Sequence, residues 1–321
     1  MKRLLVLILS FVVSQMSAFA ASEEVKICCS WGDIAATLAT PDKGSDSAVV
    51  IVAGSGPTDR NGNSGLNLNT YAYKRLSDGL VEAGYAVLRY DKRGVGGSVI
   101  PAEQVPSLLY DDYVADAERC VAWLREQGYK HIAIAGHSEG GSIAIEVAAR
   151  GDVDGVVLLA APGYPMDEIL MWQLSEQLLP THFALMMSAQ RIIASLKRGE
   201  SVAEESVPKE LMSLFHPVVQ PFLMSSMQRN PCALIAQCAE PMLIISGGRD
   251  IQVTVANGER LLAAAQSAEH VVFECMCHVL KDAETADRVE QLLGVYTNSQ
   301  QPLTEGLVPT IVEFLDRVII K

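Results

Sequence analysis

The residues best suited to chemistry are a serine between glycines, an aspartate and a histidine, which lie far apart along the chain. The serine is Ser138, in the run Gly136-His-Ser-Glu-Gly140, which follows a buried apolar stretch and precedes a helix-forming one. Glycines on both sides allow a sharp turn that lifts the hydroxyl above the end of a strand. The pattern predicts a nucleophilic serine at a strand-to-helix turn. The alternative is an ordinary turn with an incidental serine.

A nucleophilic serine needs a base, and position along the chain separates the six histidines. Five of them are poorly placed for this role. His131 and His270 stand at the start of predicted strands and His137 lies inside the serine motif. His182 and His216 lie in a region without predicted strands. His278 directly follows a predicted strand, so we expect it at the sheet edge that carries Ser138. We therefore predict that His278 is the general base, with a purely structural histidine as the alternative.

The base in turn needs a carboxylate that fixes its tautomer and stabilises its charged form. Asp250 ends a glycine-containing loop after another predicted strand, and Asp167 is the competing acid. We predict Asp250 as the third member, with helix capping as its alternative role. The resulting chain order of serine, aspartate and histidine is that of α/β hydrolases.

Acyl chemistry at a serine also requires two backbone N–H donors for the negative charge that develops on the carbonyl oxygen. We predict that Glu139, the residue after the serine, supplies one donor. We predict that Ser55 or Gly56, in the loop after the strand at 48–53, supplies the other. No side-chain chemistry is assigned to these residues.

The elements that must position these residues alternate between strand and helix. Apolar, β-branched runs predict strands at 25–29, 34–38, 48–53, 85–90, 155–160, 241–246 and 271–275, and a further short strand that begins at His131 and ends at the serine turn. Helical spacing predicts helices at 71–83, 108–127, 253–265 and 308–319. This alternation predicts an α/β fold, a mainly parallel sheet of about eight strands with helices on both faces.

The chain divides into three kinds of segment. Residues 1–20 have a charged start, an apolar stretch and small residues before Ala20, which predicts a signal peptide and a secreted or periplasmic protein. An uncleaved anchor is the alternative. Residues 21–161 and 241–321 form the predicted core. Residues 162–240 lack strand patterns and are rich in methionine, which predicts a helical cap insertion, or else ordinary helical packing.

Charge and cysteine content narrow the class of partner. The net charge of −13 argues against nucleic acid or an anionic membrane as a partner. The seven cysteines contain no Cys-x-x-Cys spacing, and their odd number leaves at least one thiol unpaired in a monomer. Cys232 and Cys238 are close enough in sequence to pair, whereas Cys120 reads as a buried thiol. We expect a small-molecule substrate, no metal, no organic cofactor and no stable membrane insertion after signal cleavage.

Four further runs complete the pattern: Gly54-Ser-Gly-Pro-Thr-Asp-Arg60, Tyr90-Asp-Lys-Arg-Gly-Val-Gly-Gly-Ser98, Gly248-Arg-Asp250 and His278-Val-Leu-Lys281. With the serine motif, they resemble carboxylesterases of the α/β-hydrolase superfamily, near the serine aminopeptidases and prolyl-oligopeptidase-like hydrolases. The resemblance implies a serine hydrolase that cleaves small acyl esters through an acyl-enzyme intermediate. Cys277 departs from that pattern, because such proteins often carry Asn before the histidine.

Several alternatives stay open at this point. Ester and amide hydrolysis use the same catalytic set, so a peptidase or amidase of the serine aminopeptidase type is one alternative. A non-catalytic binding protein on the same fold and an acyl transferase are others. Asp91 and Arg93 are predicted to form a structural ion pair or loop clamp rather than a substrate site, and Asp59 and Arg60 to shape their own loop.

Overall fold

The computed structural model describes residues 21–65, 68–179 and 181–319, so the predicted signal peptide at 1–20 lies outside the described residues. The strands are β1 (Ala21–Cys29), β2 (Gly32–Thr40), β3 (Ser47–Val52), β4 (Asn63–Ser64), β5 (Leu68–Asn69), β6 (Ala86–Tyr90), β7 (His131–His137), β8 (Gly155–Leu159), β9 (Met242–Gly247) and β10 (Ala268–Phe273). The α-helices are α1 (Ala72–Glu82), α2 (Tyr110–Glu126), α3 (Glu139–Ala148), α4 (Met166–Leu178), α5 (Phe183–Lys197), α6 (Met212–Phe215), α7 (Gln220–Met227), α8 (Pro231–Ile235), α9 (Val255–Ala264), α10 (Arg288–Glu290) and α11 (Leu307–Val318). Short 3₁₀-helices occur at Ala102–Ser107, Glu204–Ser206, Lys209–Leu211 and Pro217–Val219, and a π-helical turn occurs at Gln291–Val295.

Eight of these strands form one sheet in the order β1-β2-β6-β3-β7-β8-β9-β10, while β4 and β5 form a separate pair. The pairs β1–β2 and β2–β6 are antiparallel, and every pair from β6 to β10 is parallel. The central strands are apolar at almost every position because helices cover both faces. The predicted α/β fold with a mainly parallel sheet of about eight strands is confirmed.

Two apolar layers hold the sheet between its helices. One layer joins the sheet to α2, α3 and α9, and the other joins it to α1 and α11. In α11, the buried residues Leu307, Ile311, Phe314 and Leu315 recur at helical spacing, so they form one stripe that faces the sheet. Burying a side chain of this size contributes roughly 1.5–3 kcal/mol to stability.

Residues 162–240 form helices and 3₁₀ turns, and no strand occurs among those that the structure describes in this range. Helices α4, α5, α6 and α7 pack together through an apolar cluster of their own, which includes Ile193, Phe215 and Met227. Helix α8 packs instead against α3 and α9 of the core. Within the described part of the chain, no helix combines the length and the apolar character that crossing a membrane requires.

Five of the parallel strands deliver chemically capable residues to one edge of the sheet. Gly54 follows β3, Lys92 follows β6 and Ser138 follows β7. Asp250 follows β9, and His278 lies in the loop after β10. Because parallel strands point the same way, their carboxyl ends meet at a common edge, where ligands of open α/β sheets bind.

Candidate active site

Ser138 occupies the sharp turn between β7 and α3. Its backbone has φ of 53° and ψ of −122°, a conformation that costs a non-glycine residue about 1–3 kcal/mol and persists only where the surroundings impose it. The Ser138 N–H donates to the Leu159 carbonyl oxygen at 2.9 Å. A Cβ atom at Gly136 would lie 2.1 Å from the carbonyl oxygen of Gly140, and one at Gly140 would lie 2.3 Å from that of Val52. The turn therefore needs glycine on both sides of the serine.

His278 and Asp250 form a buried hydrogen-bonded pair. The distance between His278 Nδ1 and Asp250 Oδ2 is 2.8 Å, and the two side chains are 7% and 0% exposed. The other carboxylate oxygen of Asp250 accepts backbone N–H groups of Gln252 and Val253 at 2.7 and 2.9 Å. A Cβ atom at Gly247 would lie 2.2 Å from a backbone oxygen of the loop that carries His278, so glycine there lets the two loops touch.

Asp167, the alternative acid, and His270, another histidine near the sheet, have partners elsewhere. Asp167 on α4 forms an ion pair with Lys197 on α5, with an N–O distance of 3.0 Å. His270 lies within β10, and its Nε2 is 2.9 Å from the hydroxyl of Ser246. The structure thus brings Asp250, and not Asp167, into contact with His278.

His137, inside the serine motif, connects Ser138 to His278. Its Nε2 lies 2.7 Å from the His278 carbonyl oxygen, its Nδ1 lies 2.8 Å from the Tyr73 hydroxyl, and the two imidazole rings are 4.8 Å apart. A carbonyl oxygen only accepts, so Nε2 carries the proton and Tyr73 donates to Nδ1. Burial, assisted by the neighbouring His278, lowers the pKa of His137 to about 3, which keeps this tautomer neutral. His278 thus contacts the residue that precedes Ser138.

The loop after β3 passes directly beside the serine. A Cβ atom at Gly54 would lie 3.2 Å from the Ser138 Cβ, and Ser55 and Gly56 line the same cavity as Ser138 and Glu139. Glu139 is the first residue of α3, where backbone N–H groups lack acceptors within the helix and the helix dipole favours negative charge. The predicted donors therefore border one space next to Ser138.

Lys92, which no sequence pattern marked as a site residue, is buried in the same region. Its Nζ donates to the Gly54 carbonyl oxygen at 2.5 Å and lies 3.6 Å from Glu139 Oε1. Burial lowers the pKa of Lys92 even though Glu139 opposes that shift. One signal could have identified it, namely its position directly after β6 at the functional edge of the sheet. Tyr73 and His137 were missed as well, because their roles depend on contacts between distant segments.

Asp91 and Arg93 clamp the surrounding loops but do not pair with each other. Asp91 accepts the backbone N–H groups of Arg60 and Gly97, each at 2.8 Å. Arg93 forms ion pairs with two residues of α2, Asp112 and Asp116, at 3.0 and 2.6 Å. Of the two predicted arrangements, the structure shows a loop clamp. Asp59 likewise shapes its own loop, since its carboxylate accepts the N–H groups of Asn61 and Asn63.

A cavity of about 590 Å³ opens beside Ser138. Its wall is mostly apolar and combines residues before, within and after the 162–240 segment, among them Ile100, Leu108, Tyr113, Ile169, Val218 and Phe222. Its cations are Lys92, Arg93 and Arg229, and Arg229 pairs with Asp111 and with Glu146. Among the described residues of the wall, Glu139 is the only acid, and it is already paired with Lys92.

All seven cysteines are free thiols in the structure. Cys232 and Cys238, the pair that sequence spacing suggested, instead contact separate backbone carbonyl oxygens, those of Gly163 and Ile145. Cys120 is fully buried in the core, as expected. Cys277, next to His278, is also buried, and this burial raises the pKa of its thiol, which makes it a poor nucleophile.

Comparisons with known proteins agree with this architecture. The family model described as "Hydrolase_4: Serine aminopeptidase, S33" matches residues 63–281. A stretch of 241 residues is 30% identical to Esterase EstD of Thermotoga maritima and covers 74% of this chain and 55% of that protein. The chain thus spans about half the length of this curated relative.

Solved structures with similar folds include two esterases. The Pyrococcus furiosus esterase Pf2001 has a TM-score of 0.60 at 19% identity, covering 93% of this chain and 91% of that one. Est1E from Butyrivibrio proteoclasticus, solved with ferulic acid bound, has a TM-score of 0.59 at 16% identity, covering 92% and 100%. The resemblance drawn from the sequence motifs is confirmed: this chain has the α/β-hydrolase fold and belongs to the Hydrolase_4 family, described as serine aminopeptidase.

Proposed function

We propose that the protein is a serine hydrolase that cleaves carboxylic esters of small acyl groups through an acyl-enzyme intermediate. The observation that carries the proposal is the buried His278–Asp250 pair, 2.8 Å between Nδ1 and Oδ2, packed against the residue before Ser138. Three groups of this kind at one sheet edge make up the catalytic set of serine hydrolases. The esterase names of EstD and Pf2001 support the same chemistry.

The hydrogen-bond pattern defines the first step. The carboxylate of Asp250 accepts a hydrogen bond from His278 Nδ1, so the imidazole carries a proton on Nδ1. Its Nε2 is therefore free to act as a base. His278 removes the hydroxyl proton as the Ser138 Oγ attacks the ester carbonyl carbon. The carbonyl oxygen becomes negative, and the N–H groups of Glu139 and of Ser55 or Gly56 stabilise it.

The remaining steps of the reaction return the proton to the leaving alcohol and then release the acid. His278 passes its proton to the alkoxy oxygen as the carbon–oxygen bond breaks, so the alcohol leaves and the acyl group stays on Ser138. Water then attacks the acyl-enzyme, with His278 again removing a proton, and the acid departs as Ser138 regains its hydrogen. Asp250 orients the imidazole and stabilises its charged form in both halves.

The cavity wall favours esters over peptides with a free amino terminus. An aminopeptidase must hold the substrate ammonium group with a carboxylate, since a buried charge needs a partner. The only acid among the described wall residues is Glu139, which is paired with Lys92. The other two cations of the described wall, Arg93 and Arg229, are paired with acidic side chains, and most of the wall is apolar. The cavity therefore suits an uncharged ligand of moderate size.

The test is a substrate panel with an active-site probe. p-Nitrophenyl acetate, butyrate and octanoate are compared with aminoacyl p-nitroanilides, and a fluorophosphonate probe reports the nucleophile. We expect ester turnover and probe labelling, both lost in Ser138→Ala and both kept in Ser188→Ala, which changes a serine on α5 away from the cavity. Preferred cleavage of the nitroanilides would favour the peptidase. Absence of labelling in the parent protein would favour a non-catalytic binding protein.

We also propose that the protein is exported, on the basis of the signal-like residues 1–20. Export with cleavage after Ala20 would leave a mature protein that begins at Ala21. Amino-terminal sequencing of the protein recovered outside the cytoplasm checks this. Recovery of the uncleaved chain with the membrane fraction would instead support an anchor.

A further inference from the structure

We propose that Lys92 is a positioning residue for the oxyanion hole, because it holds the peptide group between Gly54 and Ser55 in the orientation that aims the Ser55 N–H at the reacting oxygen. The inference rests on the proposed function and deepens it. It also selects Ser55, rather than Gly56, as the second donor.

The geometry of one peptide group links Lys92 to the proposed donor. The Gly54 carbonyl and the Ser55 N–H belong to one planar unit, in which the two bonds point in opposite directions. Lys92 Nζ donates to the Gly54 oxygen at 2.5 Å. The direction of the carbonyl therefore determines the direction of the N–H. Gly54 passes directly beside Ser138, so this peptide unit lies next to the nucleophile.

The peptide group that precedes Gly54 is also held in place. The Gly54 N–H donates to the Tyr73 hydroxyl oxygen at 3.0 Å. Gly54 is thus bound on both sides, through its N–H by Tyr73 and through its carbonyl by Lys92. A glycine is otherwise the residue with the greatest rotational freedom, so these two bonds resist a flip of the following peptide.

Lys92 has a second partner, the carboxylate of Glu139. Its Nζ lies 3.6 Å from Glu139 Oε1, and the two side chains are only 4% and 7% exposed. Glu139 is the residue whose backbone N–H is the other proposed donor. One buried ammonium therefore bridges the two segments that form the oxyanion hole. Its hydrogen bond also polarises the Gly54–Ser55 amide, which makes the Ser55 N–H a stronger donor.

A merely structural ion pair is the competing explanation, and a pair of variants separates the two. Lys92→Met keeps a side chain of similar length but removes the donor, and it leaves Glu139 buried without its cation. The double variant Lys92→Met/Glu139→Gln also removes that carboxylate. Replacing a buried ion pair with neutral groups is often tolerated, so the double variant is expected to fold even if the single one does not.

The experiment measures kcat and KM for the best ester, together with the inhibition constant of a trifluoromethyl ketone with the same acyl chain. This ketone forms a tetrahedral adduct with serine whose oxygen occupies the oxyanion hole. In both variants we expect kcat to fall by about tenfold to a hundredfold, less than for loss of a donor itself, with KM changed by less than about threefold. The inhibition constant should rise by the same factor as kcat falls.

Three results would overturn the inference. They are unchanged kcat in a folded variant, a fall in kcat with an unchanged inhibition constant, and recovery of the parent rate in the double variant. Lys130→Met is the control for loss of a lysine, because Lys130 is exposed and pairs with Asp46 near the start of β7, away from the cavity. If the parent protein itself fails to hydrolyse esters, the proposed function fails; a normal rate in both Lys92 variants removes only the role of Lys92.

Discussion

His137 binds the backbone of His278, with its Nε2 donating to the carbonyl oxygen at 2.7 Å. The bond joins the turn that carries Ser138 to the loop that carries the proposed base. On its other side, His137 accepts from Tyr73, which accepts in turn from the Gly54 N–H. A chain of hydrogen bonds therefore connects the proposed oxyanion loop to the proposed base, and two variants test its members.

The first prediction concerns acid stability and His137→Gln. The pKa of His137 is lowered from 6.5 to about 3 in the folded protein, mainly by burial. Between these values the unfolded chain binds a proton that the folded protein does not. This residue therefore makes the free energy of unfolding fall as pH falls, by up to about 1.4 kcal/mol per pH unit. The variant lacks this pH dependence. The difference in free energy of unfolding between the parent protein and the less stable variant should therefore shrink as pH falls. Urea unfolding at pH 7, 5.5 and 4 measures the deficit, and a constant deficit would contradict the prediction.

The second prediction concerns Tyr73→Phe. The change removes the donor to His137 Nδ1 and the acceptor of the Gly54 N–H, both in the buried interior. A buried polar group without a partner costs about 1–3 kcal/mol, so the free energy of unfolding should fall by at least that amount. We expect kcat to fall as well, because the Gly54 loop loses one of its two anchors. Tyr71→Phe, at an exposed position, should change the stability by less than about 0.5 kcal/mol.

The third prediction concerns Asp250→Asn. Oδ1 of Asp250 accepts two backbone N–H groups, so the amide oxygen of asparagine should take that place and turn its NH₂ toward His278 Nδ1. Two donors cannot face each other, so the imidazole must carry its proton on Nε2, where it cannot act as a base. We expect kcat to fall by about a thousandfold to ten-thousandfold with little change in KM. Steady-state kinetics with p-nitrophenyl butyrate checks this; a variant that keeps a tenth of the rate would exclude Asp250 from the mechanism.

Much of the fold was predictable because buried parallel strands leave a continuous apolar signal. The strand that begins at His131 was predicted with its observed start, and β3, β6, β8 and β9 fell within one residue of their predicted bounds at each end. The π-helical turn Gln291–Val295 and the short helices α7 and α8 were not predicted. Elements of five to eight residues contain too few turns for a helical period to be recognised.

Some residues of the candidate site were likewise predictable from the sequence, and others were not. Ser138, Asp250 and His278 were placed at one edge because each follows a strand, and the direction of parallel strands is a property of the topology. Tyr73 and His137 lie 64 residues apart, and no local sequence pattern predicts the hydrogen bond between their side chains. Lys92 could be assigned a role only once its ammonium was seen between a carbonyl oxygen of one loop and a carboxylate of another.

The fourth prediction concerns the glycine before the serine. A Cβ atom at position 136 would lie 2.1 Å from the Gly140 carbonyl oxygen, so Gly136→Ala must displace the start of α3. We expect a loss of roughly 3 kcal/mol or more in the free energy of unfolding, measured in urea, together with loss of fluorophosphonate labelling. Gly294→Ala is the control, since a Cβ atom there would meet nothing within 4 Å. Equal stability of the two variants would show that the turn tolerates a side chain.

The fifth prediction concerns the length of the acyl chain. Val218 is half-buried in the cavity wall, so Val218→Trp should fill part of the 590 Å³ space. We expect kcat/KM for p-nitrophenyl octanoate to fall by about tenfold or more, while that for the acetate changes by less than about threefold. The matched control is Val289→Trp, at a position 62% exposed and away from the cavity. An equal effect on both esters would mean that the acyl chain does not occupy this side of the cavity.

The three cations among the described residues of the cavity wall are all paired, which has a consequence for the proposed reaction. Ester hydrolysis ends with a newly formed carboxylate anion, and an uncompensated lysine or arginine would retain it. Here Arg93, Arg229 and Lys92 are already neutralised by acidic neighbours, and the chain as a whole carries a charge of −13. If the protein hydrolyses esters as proposed, no unpaired cation among the described wall residues holds the product anion, so we expect added carboxylate product to inhibit turnover only weakly.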